Sequence, residues 1–136
     1  MLRELREDGQ LVIVDMEASP EHLARSTAEA ADLLLVVAEP WFRSLETARR
    51  AVELGAGLGI AQVAVVANKV RDAGDREAVE AFCGRHGMEV LATVPYDDTL
   101  GDAERARAAP VDHDHRAPAV RAIDHLVDRV LALAAG

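Results

Sequence analysis

Gln62-Val63-Ala64-Val65-Val66-Ala67-Asn68-Lys69 is the stretch on which the fold turns. Its apolar residues do not alternate with polar ones, as a strand with one wet face would require. A continuous run fits a parallel strand covered on both faces. Three other runs share the pattern: Leu11–Asp15, Leu33–Ala38 and Glu89–Pro95. Together with Val63–Asn68 they predict four buried strands. Helical patterns separate them, which gives βαβ units and an α/β class, a three-layer, mostly parallel sheet with flanking helices.

The first helix is predicted to open at Ser19-Pro20, where Ser caps and Pro suits the first helical position, and to reach about Ala31. A second follows Ser44 with Leu45, Ala48, Val52 and Leu54 inward and ends at Gly55 or Gly57. A third covers about Asp75 to His86, with Val79, Phe82 and Cys83 inward. Val120, Ile123, Leu126, Val127, Val130 and Leu131 recur at three- and four-residue spacing after Pro118 and predict a last helix. Asp97 to Ala109 reads as a turn or two of helix and then loop. Gly55-x-Gly57-x-Gly59 closes a helix and precedes a strand, the reverse of a dinucleotide loop, so it is read as a cap and turn.

The 136 residues are read as a single domain, residues 1–136, large enough for a core without staples. Only 3% are aromatic, so the core is aliphatic. A net charge of −9 argues against an unassisted nucleic-acid or anionic-membrane surface, because phosphate binding needs clustered cations. One lysine, Lys69, stands against fourteen arginines. Cys83 is the single cysteine, so no disulfide or Cys-x-Cys clip forms within the chain. With no signal-peptide pattern at Met1 and no apolar stretch of membrane-spanning length, a cytoplasmic protein is expected.

Chemistry is sought at strand ends, because open α/β sheets bind ligands outside the carboxyl ends of their strands. Asp15 closes the first run and suits a water-mediated Mg²⁺ ligand, or else caps a helix. Asn68 both donates and accepts and reads a purine edge, or else makes a strand-end turn. The stem of Lys69 lies along a ring or a phosphate. Asp72 sits one place too late for the aspartate of a guanine reader, a weak lean to adenine. Backbone groups beside Pro95 line a base pocket, or Pro95 is a strand stop before an Asp helix cap. Asp112-His113-Asp114-His115 supplies at most two metal ligands on one face and otherwise a solvated loop. His22 and His125 read as helix-surface residues. Trp41 and Phe42 are a partner anchor or a lid over the sheet end. No glycine-rich loop with its lysine occurs in these 136 residues.

Asp15-Met16-Glu17-Ala18-Ser19-Pro20-Glu21-His22-Leu23-Ala24-Arg25 resembles the switch segment of CooC-type proteins. These are MinD/ParA-like P-loop ATPases that assist nickel insertion into carbon monoxide dehydrogenase. Val36–Pro40, Ser44–Ala48, Val66–Val70, Val94–Asp97 and Pro118–Ile123 match the family in order. The resemblance implies ATP and Mg²⁺ as cofactors, with Asp15 as the Mg²⁺-associated aspartate after the Walker B strand, Asn68 on the adenine and Pro95 beside it. It implies a dimer or partner complex and a client of the carbon monoxide dehydrogenase type.

By the same resemblance the chain is equivalent to the carboxyl-terminal half of such a domain, an incomplete P-loop NTPase-like fold. Ser19 stands where the family has a glycine that follows the γ-phosphate. The family's phosphate-loop strand lies between the strand matching Leu11–Asp15 and the one matching Leu33–Ala38, so either a slot or a repacked edge is expected. No ATP hydrolysis by these residues alone is expected. The alternative is a non-catalytic interaction or regulatory domain that pairs with an amino-terminal half or an intact homologue.

Overall fold

The computed structural model describes residues 11–16 and 31–134. The described elements run β1 (Leu33–Ala38), α1 (Phe42–Gly57), β2 (Gln62–Val70), α2 (Ala73–Arg85), β3 (Val90–Pro95), α3 (Asp98–Arg105), α4 (Pro110–His113) and α5 (Pro118–Ala134). The sheet is parallel in the order β1-β2-β3. The valine-rich stretch is its central strand, and Val65 is fully buried.

Side chains alternate across the sheet. Leu34, Val36 and Ala38 of β1 and Val65, Ala67 and Val70 of β2 face α1 and α2, where they pack with Leu45, Ala48, Val79, Phe82 and Cys83. Leu35, Val66, Ala92 and Val94 face α5 through Ala119, Ala122 and Leu126. Arg129 of α5 also donates to the Leu91 carbonyl of β3. Helices therefore cover both faces, as continuous apolar runs demand.

Three of the four expected strands form. The fourth, Leu11–Asp15, does not: residues 11–16 have no regular structure, and Leu11 to Asp15 are exposed, Ile13 at 83%. An extended segment is a strand only when its N–H and C=O groups meet a neighbour's. Among the described residues the outer edge of β1 has no partner, and residues 11–15 do not fill it. The predicted helix from Ser19, and His22 on it, fall outside the described residues apart from Ala31.

Two helix starts differ from expectation. α1 opens at Phe42, three residues before the expected start after Ser44, and Ser44 Oγ, inside its first turn, accepts from the Glu39 backbone N–H at 2.9 Å. α2 opens at Ala73 on a cap by Asp72, whose carboxylate accepts from Asp75 N–H at 2.9 Å. The polar segment after β3 forms α3, capped by Asp97, and the short α4.

Candidate functional site

Parallel strands deliver their carboxyl ends to one edge. β1 leads into Glu39 and Trp41, β2 ends in Asn68, Lys69 and Val70 before Arg71, and β3 ends in Pro95 before Tyr96 and Asp97. Register locks them together. Ala67 pairs with Thr93 and Val70 with Pro95, so Asn68 and Lys69 stand opposite the one residue Val94. That is a β-bulge, which re-aims side chains and recurs beside functional sites. Lys69 takes a left-handed backbone, φ 56°. Its N–H turns onto the Asn68 side-chain oxygen at 3.0 Å.

A cleft of about 260 Å³ opens at this edge, lined by Asn68, Lys69, Pro95, Tyr96, Leu100 and Arg105 among others. That is just under the range for whole drug-sized ligands, about 300–1,000 Å³, and suits a planar base better than a whole nucleotide. Asp97 forms its floor joint. One carboxylate oxygen accepts from Thr99 N–H and the other from Ala119 N–H, each at 3.0 Å, so the end of β3 is tied to the start of α5. The Ala119 backbone N–H, and after it Thr99, hold the Asp97 carboxyl below the usual aspartate value.

The rim carries a charge network that the sequence did not disclose. Lys69 Nζ donates to Glu39 at 2.6 Å, and Trp41 Nε1 donates to the other Glu39 oxygen at 2.9 Å. The Lys69 ammonium, and secondarily the Trp41 indole, lower the Glu39 pKa. The Arg71 guanidinium lies 5.3 Å from the Trp41 ring centroid and 4.6 Å from that of Tyr96. Trp41 is therefore built into the rim, and Phe42 packs edge-on against Phe82 at 6.4 Å. The sequence does carry a cue for Glu39: it directly follows β1, at the carboxyl edge to which the other strand ends lead.

The sequence candidates divide. Asn68, Lys69 and Pro95 come together in one cleft. Asp15 does not join them. Its neighbour Met16 packs with Ile60, Leu58, Leu34 and Val63, at the amino ends of β1 and β2. From Val63 to Asn68 is five residues of strand, roughly 16 Å at ~3.3 Å each. Asp15 and Asn68 thus stand toward opposite ends of the sheet, and the expected common rim is not formed. Asp72, one place too late for a guanine reader, caps α2. Asp112 and His113 lie in α4, and Asp114 accepts from Arg116 N–H. Among the described residues no group of three or more His, Cys, Asp or Glu is placed to hold a metal.

No family model matches the chain. Individual proteins do. An uncharacterized ATP-binding protein of Methanocaldococcus jannaschii is 40% identical over 109 residues, 79% of this chain and 42% of that protein. The carbon monoxide dehydrogenase accessory protein CooC of Rhodospirillum rubrum is 36% identical over 97 residues, 71% of this chain and 36% of that one. The MinD cell division protein of Aquifex aeolicus superposes with a TM-score of 0.67 at 25% identity, over 77% of this chain and 46% of that chain. The chain belongs to the CooC/MinD-like family of P-loop ATPases. As a CooC/MinD-like chain it spans about two fifths of the length of these curated relatives. Its cleft residues sit on the strand ends of the matched α/β fold.

Proposed function

We propose that this chain is the base-binding part of a CooC/MinD-like nucleotide domain, equivalent to its carboxyl-terminal half, with residues 1–136 forming one unit. The observation that carries the reading is the cleft joining Asn68, Lys69 and Pro95 in a chain whose relatives are named ATP-binding. Asn68 reads the base edge, Pro95 and the backbone around it bound the cleft, and Lys69 closes its rim. The groups present suit a base and do not suit a triphosphate. No nest of backbone N–H groups with a lysine lies among the described residues, and such preorganised donors are the largest part of phosphoryl-transfer catalysis. Asp15, the residue proposed for Mg²⁺, stands at the far end of the sheet here, so no catalytic step is assigned to it. Its Mg²⁺ role requires Leu11–Asp15 to be paired as a strand by residues outside this stretch. The biological setting we propose is cytoplasmic maturation of a nickel enzyme such as carbon monoxide dehydrogenase, with the family's ATP and Mg²⁺ as cofactors.

A base of about ten non-hydrogen atoms, at about −0.4 kcal/mol each, gives roughly −4 kcal/mol, a Kd near 1 mM. Calorimetry with Mg-ATP and a phosphate-release assay test the reading. Weak binding without turnover is expected. Micromolar affinity or steady hydrolysis by these residues alone would contradict it.

A second reading is favoured by one observation. Val37 is 61% exposed on the α5 face of the edge strand β1, whose outer side has no partner among the described residues, and Ile123, Val127 and Leu131 are exposed on α5. A free strand edge beside apolar surface is a template for another chain. On this reading the protein is a non-catalytic module that docks an amino-terminal half, an intact homologue or a second copy of itself.

A further inference from the structure

We propose that Lys69 serves the base cleft through its backbone, as the positioning residue of Asn68, and that its ammonium is parked on Glu39 rather than offered to the ligand. The inference rests on the base-cleft reading and goes beyond it by separating the roles of two adjacent residues.

Three observations converge. The bulge places Asn68 and Lys69 opposite Val94 alone, so one of the two must leave the regular strand path. Lys69 does so, at φ 56°, in the left-handed region that residues with a Cβ enter at an energetic penalty. A strained conformation persists only where its surroundings over-determine it, and such residues gather at functional sites. The strain has a product. The Lys69 N–H donates to Asn68 Oδ1 at 3.0 Å, which fixes the carboxamide plane and settles which end is oxygen. The Asn68 NH₂ group has no partner among the described residues, and Asn68 lines the cleft. The clamped amide therefore offers two N–H donors and one remaining oxygen lone pair. That set matches a purine edge with a ring-nitrogen acceptor, adenine and guanine alike.

The side chain of Lys69 is engaged elsewhere. Its ammonium is held by Glu39 at 2.6 Å, and Glu39 is itself anchored by Trp41 through its second oxygen and by Ser44 through its backbone N–H. An ammonium so fixed is a rim strut between β1 and β2.

A substitution series separates backbone from side chain. Glycine adopts the left-handed region freely, methionine keeps the stem without the charge, and valine, branched at Cβ, resists it most. Binding of adenosine monophosphate, followed by NMR titration to 10 mM, is expected to rank Lys69→Gly above Lys69→Met above Lys69→Val, with at least tenfold between the first and last. A side-chain role ranks Lys69→Met above Lys69→Gly and overturns the proposal. A second measurement needs no ligand. Amide exchange at Lys69 is expected to quicken at least tenfold in Asn68→Ala, whose circular dichroism melt reports that it is folded. Unchanged exchange refutes the clamp. If the wild-type protein binds no nucleotide, the base-cleft reading fails, and the clamp is then decided by the exchange result alone.

Discussion

Removing the Asp97 carboxylate is expected to destabilise the fold far more than its position in a polar loop implies. Asp97 caps α3 and, 22 residues along the chain, accepts the N–H of Ala119, a residue with 0% exposure. Losing a cap costs about 1 kcal/mol. Leaving a buried N–H without an acceptor costs about 1–3 kcal/mol. Asp97→Ala is therefore expected to lose about 2–4 kcal/mol, a large share of the ~5–15 kcal/mol typical of a domain. Asp97→Asn keeps one of the two acceptor oxygens and is expected to lose about half as much. Urea unfolding at pH 7, read by circular dichroism, measures both. At a slope of ~1.5 kcal/mol/M the Ala variant's midpoint falls by roughly 1.3–2.7 M.

The pH dependence has a definite sign. The folded pKa of Asp97 is depressed, so its contribution is present above the ordinary aspartate value of 3.8 and is lost as pH falls through the lower folded value. The gap between wild type and Asp97→Asn should narrow below about pH 3.8 and stay constant above it. An Asp97→Ala protein within 0.5 kcal/mol of wild type would refute the reasoning.

Other expectations follow from burial. Val65→Ala in the fully buried central strand is expected to lose about 2–3 kcal/mol in the same unfolding assay, from transfer of two carbons plus a residual cavity. Burial raises the Cys83 pKa, so the folded protein should react with a thiol reagent orders of magnitude more slowly than the urea-unfolded chain at pH 8. Val37→Lys puts a charge beside the open β1 edge. If that edge docks another chain, light scattering should show weaker association, with the unfolding midpoint shifted by less than about 0.5 kcal/mol equivalent.

The three strands that form were legible because a parallel strand with helices on both faces must be apolar on both, and Leu33–Ala38, Gln62–Val70 and Val90–Pro95 are. Leu11–Val14 carries the same local signature and is not a strand. Composition records what a segment can bury, while pairing depends on a neighbour that the segment does not encode. The same divide runs through the site. Asn68 and Pro95 were legible as strand ends because parallel strands bring such ends together. Asp15 stands apart from the cleft because its segment is not paired as a strand. Glu39, Arg71 and Tyr96 were not legible as rim residues because their contacts, Glu39 with Lys69 and Arg71 between Trp41 and Tyr96, join loops after different strands. The bulge was equally invisible, since it exists only in the register of β2 against β3. Asp72, one place too late for a guanine reader's aspartate, is a helix cap, a role that only the helix start at Ala73 reveals.

On the proposed reading a purine base seats in the cleft at the carboxyl ends of the strands. The decisive experiment is an NMR titration of the labelled protein with adenosine monophosphate. Shifts are expected at Asn68, Lys69, Tyr96, Leu100 and Gly101, saturating in the millimolar range and lost in Asn68→Ala. Shifts centred instead on Met16, Leu58 and Ile60 at the opposite end of the sheet, or none at 10 mM, would contradict it.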